Sequence, residues 1–156
     1  MCWKTTLNVF VYGTLKRGHT NHDRFCRGHL RAEDATARGR LYDLPAGYPA
    51  LVVDEEDVRA VGTSDPRSDA AKGGSSGPAR VLDGPRVSGE LLAFDDPEER
   101  LPALDLLEGF DPERDFSLYR RVLITVETSG GSAVLAWAYA VERPTGIHLP
   151  SGRWPA

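Results

Sequence analysis

This chain of 156 residues has little of what most enzymes use to do chemistry: two cysteines, four histidines and one methionine. Cys2 and Cys26 form no Cys-x-x-Cys pair, and nothing in their spacing supports a disulfide. His19 and His22 lie three apart, with His29 and His148 elsewhere, and none meets a usual zinc-ligand spacing, so no metal site is expected. A Gly-x-Ser-x-Gly nucleophile elbow is missing, as is the Gly-x-x-x-x-Gly-Lys-Ser/Thr phosphate loop. No apolar run approaches the ~20 residues of a spanning helix, and the N-terminal residues lack the apolar stretch of a signal peptide. Basic charge is not in excess either. The balance of 19 Lys and Arg against 23 Asp and Glu leaves a net charge of −4, which argues against a protein that neutralises nucleic-acid phosphates. The expectation is an acidic cytoplasmic protein with no nucleic-acid or membrane partner; its oligomeric state is not legible.

What is present fits one domain of ordinary size, at about 100–200 residues per domain. Leu7–Tyr12 is rich in β-branched and aromatic residues and stops at Gly13, as a buried strand does on entering a turn. A short helix is expected within 20–29, capped by Thr20 or Asn21 and ended by Gly28. Strands follow around Thr36–Leu44 and Pro49–Val53, and again at Val87–Phe94. Asp95–Glu99 starts a helix, with an aspartate cap, a proline in the first turn and acids near the positive dipole end. Pro102 allows either one disturbed helix or a second start; Leu101, Leu104, Leu106 and Leu107 supply its apolar face, and Gly109 is a ready C′ residue. Val122–Val126 and Val134–Val141 flank Ser129-Gly130-Gly131-Ser132 as a hairpin. About six strands with few, irregularly placed helices predict an α+β fold around a largely antiparallel sheet or barrel. Between Gly62 and Arg80 there is no Val, Ile, Leu, Met, Phe, Trp, Tyr or Cys, so this stretch reads as a long flexible loop with nothing to bury.

Three segments can carry chemistry. The Tyr12-Gly13-Thr14-Leu15-Lys16-Arg17-Gly18 turn can aim successive backbone amides at an anion, a carboxylate more naturally than a phosphate, or can be an ordinary glycine turn. Glu108 ends an apolar helix at the negative end of its dipole, where burial raises a carboxyl pKa toward that of a general base; Asp105, three residues earlier, adds like charge. The bland alternative is a solvated acid beside a helix cap. In Tyr119-Arg120-Arg121, alternation puts Tyr119 and Arg121 on one face and Arg120 on the other, so one arginine can point inward beside Glu108.

Taken in order, these features resemble one family. Val9 through Gly18, with Asn21 shortly after, is similar to the N-terminal signature of the gamma-glutamylcyclotransferase-like family. Gly39-Arg40-Leu41-Tyr42, Tyr48-Pro49-Ala50-Leu51-Val52 and Val87-Ser88-Gly89-Glu90-Leu91 resemble its following strands. Leu104 through Phe110, then Tyr119-Arg120-Arg121-Val122, resembles the segment that holds its catalytic glutamate. Ala136-Trp137-Ala138-Tyr139 and Pro150 through Trp154 resemble its closing strand and tail. The likeness spans the chain except for an insert at about 54–86, longer than the family pattern. It implies a small mixed, largely antiparallel β-barrel flanked by short helices, with a cavity at one end. It implies cleavage of a small-molecule γ-glutamyl amide with release of 5-oxoproline and a free amine. On the motif match Glu108 is catalytic. Tyr12, Gly13, Thr14 and Leu15 line the glutamyl part, with Tyr119 and Tyr139 as walls or hydroxyl donors. Such chemistry needs no metal and no cofactor, because the nucleophile is the substrate's own α-amine. A non-catalytic module holding a glutamyl-like ligand is the alternative, and a scaffold tethering a partner through the long loop is a third.

Overall fold

The computed structural model describes residues 6–19, 21–26, 28–75, 83–113, 119–143 and 146–155. Its centre is a barrel of five strands: β1 (Leu7–Val11), β2 (Arg31–Arg38), β7 (Arg86–Phe94), β8 (Arg120–Thr128) and β9 (Ala133–Ala140). The order β9-β1-β7-β2-β8 closes on itself because β8 also pairs with β9. Four of the five seams are antiparallel, and the fifth, β1 on β9, is parallel with Val9 beside Trp137. The expected mixed, largely antiparallel barrel is the fold observed.

A five-stranded barrel has a narrow interior, and its sequence answers with small residues. Ala35 and Ala37 on β2 and Ala136, Ala138 and Ala140 on β9 share that interior with Phe10, Val87, Leu91, Val122, Ile124 and Val126, all buried. On β7, Gly89 leaves no room for a side chain: a Cβ would sit 2.3 Å from the Val11 carbonyl oxygen and 2.9 Å from the Phe10 ring. Strand alternation sends Leu7, Val9, Val11, Leu92, Phe94, Trp137 and Tyr139 to the outer face, into a second core under the helices.

Around the barrel lie α1 (His22–Phe25), β3 (Arg40–Asp43), β4 (Pro49–Val52), β5 (Ala60–Val61), α2 (Pro66–Lys72), β6 (Gly74–Ser75), α3 (Pro97–Glu108) and β10 (Ile147–His148). The strand expected over Thr36–Leu44 is divided at Gly39 into the ends of β2 and β3. Helix α1 is shorter than 20–29 and follows Asn21. Helix α3 runs unbroken through Pro102, since fully buried Leu101 and Leu104 hold it on the barrel while Pro102 faces outward. It closes at Gly109, which takes the left-handed conformation. Leu106, counted in the apolar face, is 83% exposed and plays no part in packing.

The reading of 62–80 as a structureless loop is corrected over its described part. Asp65 accepts from the Ser68 amide at 3.2 Å, Pro66 opens the helix, and α2 buries Asp69 and Ala70 almost completely. β6 then pairs with β9. The composition misled because a small alanine and a paired aspartate need no large apolar side chain to be buried. Residues 76–82 lie outside the described residues.

Replacing Gly89 by alanine should lower stability by about 1–3 kcal/mol, because neither the Val11 backbone nor the Phe10 ring can yield. Gly130→Ala, in the hairpin turn with only Thr128 Oγ1 within 4 Å (3.9 Å), serves as the comparison. Thermal melts of the two variants check this, with a midpoint for Gly89→Ala clearly below that of Gly130→Ala.

Candidate active site

At one end of the barrel a cavity of about 420 Å³ opens where β1 runs out into its turn. All seven residues singled out from the sequence (Tyr12, Gly13, Thr14, Leu15, Glu108, Tyr119 and Tyr139) line it. The turn is built for this place. Gly13 lies so close to Pro49 that a Cβ would come within 2.7 Å of the proline Cγ. Asn21 pins the turn twice, its backbone amide to the Thr14 carbonyl and its side-chain amide to Thr14 Oγ1, both at 2.9 Å. From outside, Glu90 accepts from the Arg17 amide at 2.7 Å and from Arg17 Nε at 3.2 Å. Among the described residues no protein acceptor is hydrogen-bonded to the amides of Gly13, Thr14 and Leu15. The turn is therefore rigid, with its first three N–H groups unclaimed.

Glu108 reaches the cavity from the last turn of α3. Among the described residues no ion pair or hydrogen bond meets its carboxylate. Burial pushes its pKa from 4.5 up to about 7. Asp105 adds no like-charge pressure, contrary to the expectation, because its carboxylate is taken up by Arg121 through Nε at 2.8 Å and Nη2 at 3.1 Å. Arg121 does point inward, as alternation allows, but toward Asp105 and Asp69, not Glu108. Arg120 turns outward to Glu55 and Glu142.

The tyrosines are walls. Tyr12 gives its hydroxyl proton to the Tyr139 carbonyl at 2.5 Å and accepts from the Leu51 amide at 3.2 Å. Tyr119 donates to the Pro49 carbonyl at 2.7 Å, and Tyr139 to Asp105 Oδ1 at 2.6 Å. Each of these hydroxyl protons is held by a protein acceptor. Burial, followed by neighbouring negative charge including that of Glu108, raises all three pKa values above the ordinary phenol. Glu108 is thus the one lining side chain among the described residues that can carry charge near neutral pH.

Asn21, Tyr48 and Pro49 also line the cavity and were not picked as site residues. Asn21 and Tyr48 had a signal, since each adjoins a recognisable motif; the contribution of Pro49 depends on β4 packing against the turn, which no local pattern reveals. Among the described residues no group of three or more His, Cys, Asp or Glu side chains is gathered as a metal ion would need. No described helix is long and apolar enough to cross a membrane.

The rim cavity, with its pinned glycine turn and a glutamate unpaired among the described residues, has the size and lining of a small-ligand site. Residues 9–64 and 64–156 match the family model described as Gamma-glutamyl cyclotransferase, AIG2-like, and the chain belongs to that family. It is similar to the gamma-L-glutamyl-butirosin B gamma-glutamyl cyclotransferase of Niallia circulans, 28% identical over 148 residues, which are 94% of this chain and 74% of that one. A provisionally named gamma-glutamylcyclotransferase of Halalkalibacterium halodurans is 32% identical over 139 residues, 88% of this chain and 89% of that one. Among solved structures, YkqA from Bacillus subtilis superposes with a TM-score of 0.58 at 24% identity, over 96% of this chain but only 39% of that longer one. A mouse AIG2-like protein gives 0.56 at 21% identity, over 90% and 80% of the two chains. These structural likenesses concern the fold.

A carboxyl raised by burial binds its proton more tightly in the folded chain than in the unfolded one. Its neutral form therefore contributes stability that is full below about pH 4.5 and is lost as pH rises through about 7. Glu108→Gln stays neutral throughout, so at pH 8 it should be more stable than wild type by about 1–2 kcal/mol. At pH 4 the two should coincide. Unfolding curves across this range test the assignment; a difference independent of pH contradicts it.

Proposed function

We propose that this protein cleaves a γ-glutamyl amide by intramolecular attack, releasing 5-oxoproline and a free amine. The observation that carries the reading is the unpaired Glu108 carboxyl, raised to about 7, in one cavity with the unclaimed amides of the Gly13–Leu15 turn.

In the substrate, the α-amine folds back on the γ-carbonyl carbon. Ionised Glu108 takes a proton from the α-ammonium, the nitrogen attacks, and a five-membered ring closes through a tetrahedral intermediate. The protonated carboxyl gives its proton to the leaving nitrogen as the γ-carbon–nitrogen bond breaks, and the regenerated carboxylate then takes the second proton from the ring nitrogen and passes it to the departing amine, which leaves as an ammonium. One group serves as base and then acid, a role worth about 10²–10⁴-fold. The larger share comes from holding the chain folded, since well-oriented intramolecular attack removes about 7–11 kcal/mol of barrier. The aromatic walls of Tyr12, Tyr119 and Tyr139 suit this task, as their hydroxyl protons are already held by protein acceptors. With no basic side chain among the described lining residues, the turn amides are the donors for the α-carboxylate or for the γ-oxyanion.

A binding module of the same fold is the second reading. In a binder Glu108 is either tied up in an ion pair with Arg120 or Arg121 or left in solvent; both arginines are engaged elsewhere and burial raises the Glu108 pKa, which favours the enzyme.

A panel of γ-glutamyl amines and dipeptides, with detection of 5-oxoproline, tests the proposal. Wild type should convert at least one of them, and Glu108→Gln should lose about 10²–10⁴-fold in kcat. Because the ionised form is the base, kcat/KM should fall on the acid side of about pH 7. Tight binding without conversion identifies a binding module instead, and full turnover by Glu108→Gln removes that residue from the mechanism.

A further inference from the structure

We infer that Asp69, on α2, is a positioning residue: through Arg121 and Asp105 it fixes the last turn of α3, and with it the place of Glu108 in the cavity. The inference rests on the reading of Glu108 given above.

Asp69 is fully buried although it belongs to the insert, the segment poorest in large apolar residues. Its carboxylate is not the only tie that docks α2. The Trp137 indole N–H already donates to the Asp69 main-chain carbonyl at 2.8 Å, and Asp65 caps the helix. The carboxylate accepts from Thr63, through its amide and its Oγ1, both at 2.8 Å, and from Arg121 Nη1 at 2.8 Å. Burial alone would raise its pKa, yet the hydrogen bonds from Thr63 and Arg121 outweigh that and hold it below the usual carboxylate value. It stays ionised, as a fixed anchor for the guanidinium.

Arg121 passes that anchor on. Its Nε and Nη2 form the two-pronged bond to Asp105, while Nη1 on Asp69 and a further bond from Nη2 to the Thr63 carbonyl at 3.0 Å set the plane of the fork. The ring faces of Trp137 and Phe110 lie 5.0 and 5.5 Å from the guanidinium carbon. Asp105 stands one helical turn before Glu108, and it also accepts the Tyr139 hydroxyl, so a tilt of the fork moves both the helix end and one cavity wall. Without Asp69 the arginine still has Asp105 as partner, but nothing on α2 holds its Nη1 corner. The end of α3 gains freedom and the Glu108 carboxyl gains water. Misplacement of this kind, remote from the reacting atoms, can cost about 10²-fold in rate.

The test compares wild type, Asp69→Asn and Glu108→Gln as full chains. Carbon-13 labelling of glutamate carboxyls lets NMR follow Glu108 directly, its signal identified by loss in Glu108→Gln. Charged or titratable groups felt around it are Tyr12 on β1, Cys26 after α1, Tyr119 before β8 and Tyr139 on β9. Burial pushes the Cys26 thiol up to about 12 and raises the tyrosines, so none of them titrates near 7. In Asp69→Asn the Glu108 midpoint should fall from about 7 by at least about one unit toward the solvated value. With a γ-glutamyl amide that wild type turns over, kcat should fall about 10- to 100-fold with KM within about threefold. An unmoved Glu108 midpoint in folded Asp69→Asn overturns the inference, whatever the activity. Full turnover by Glu108→Gln removes the catalytic reading instead and leaves the NMR result to decide on positioning. Should Asp69→Asn not fold, Thr63→Ala removes one donor to Asp69 and keeps the ion pair. A smaller shift in the same direction supports the inference there, and none overturns it.

Discussion

The cavity depends on one cation removed from water. Arg121 is 1% exposed, and moving a guanidinium into such a place costs several kcal/mol unless its donors are met. Two carboxylates, a main-chain carbonyl and two aromatic faces meet them. The carboxylates come from α2 and α3, and the arginine from β8, so three elements far apart in sequence share one electrostatic joint. Lysine offers a point charge without a plane and does not replace it. Because the joint consumes Asp105, the neighbouring Glu108 is left as the acid without a partner. Its raised pKa is a matter of burial alone.

The barrel supplies the other constraint. Its alanine-lined interior is too full to admit a ligand, so the cavity forms at the rim, where β1 leaves the sheet. The hydroxyls of Tyr12, Tyr119 and Tyr139 are spent on stitching that rim together, across β4, β9 and α3. Beyond the Thr14, Asn21 and Tyr48 side chains, polarity in the cavity comes from the turn's backbone amides and a single carboxyl.

Legibility followed the range of the interactions. β1, its turn, α3 and the β8–β9 hairpin could be read because each is specified within about a dozen residues, by alternation, caps and glycine. The residues about the turn and Glu108 were found through their motifs, and the fold brings them to one cavity. Position along α3 gave Leu106 an apolar role that the helix geometry denies it. The pairing of Asp69 with Arg121 spans 52 residues and obeys no periodicity, and so the insert looked empty. The commitment of the tyrosine hydroxyls was hidden for the same reason, because their acceptors are main-chain carbonyls or a side chain far along the chain.

The parallel seam between β1 and β9 bears on how the chain is made. Val9 and Trp137 are neighbours in the barrel, so β1 leaves the ribosome well before its partner across the parallel seam is made. At about 5–20 residues per second, that interval is on the order of ten seconds. Throughout it, Leu7–Val11 is an apolar strand with an open edge, able to pair with other chains. The β9-facing edge of β1 therefore stays unpaired within this chain until β9 arrives to seal the barrel.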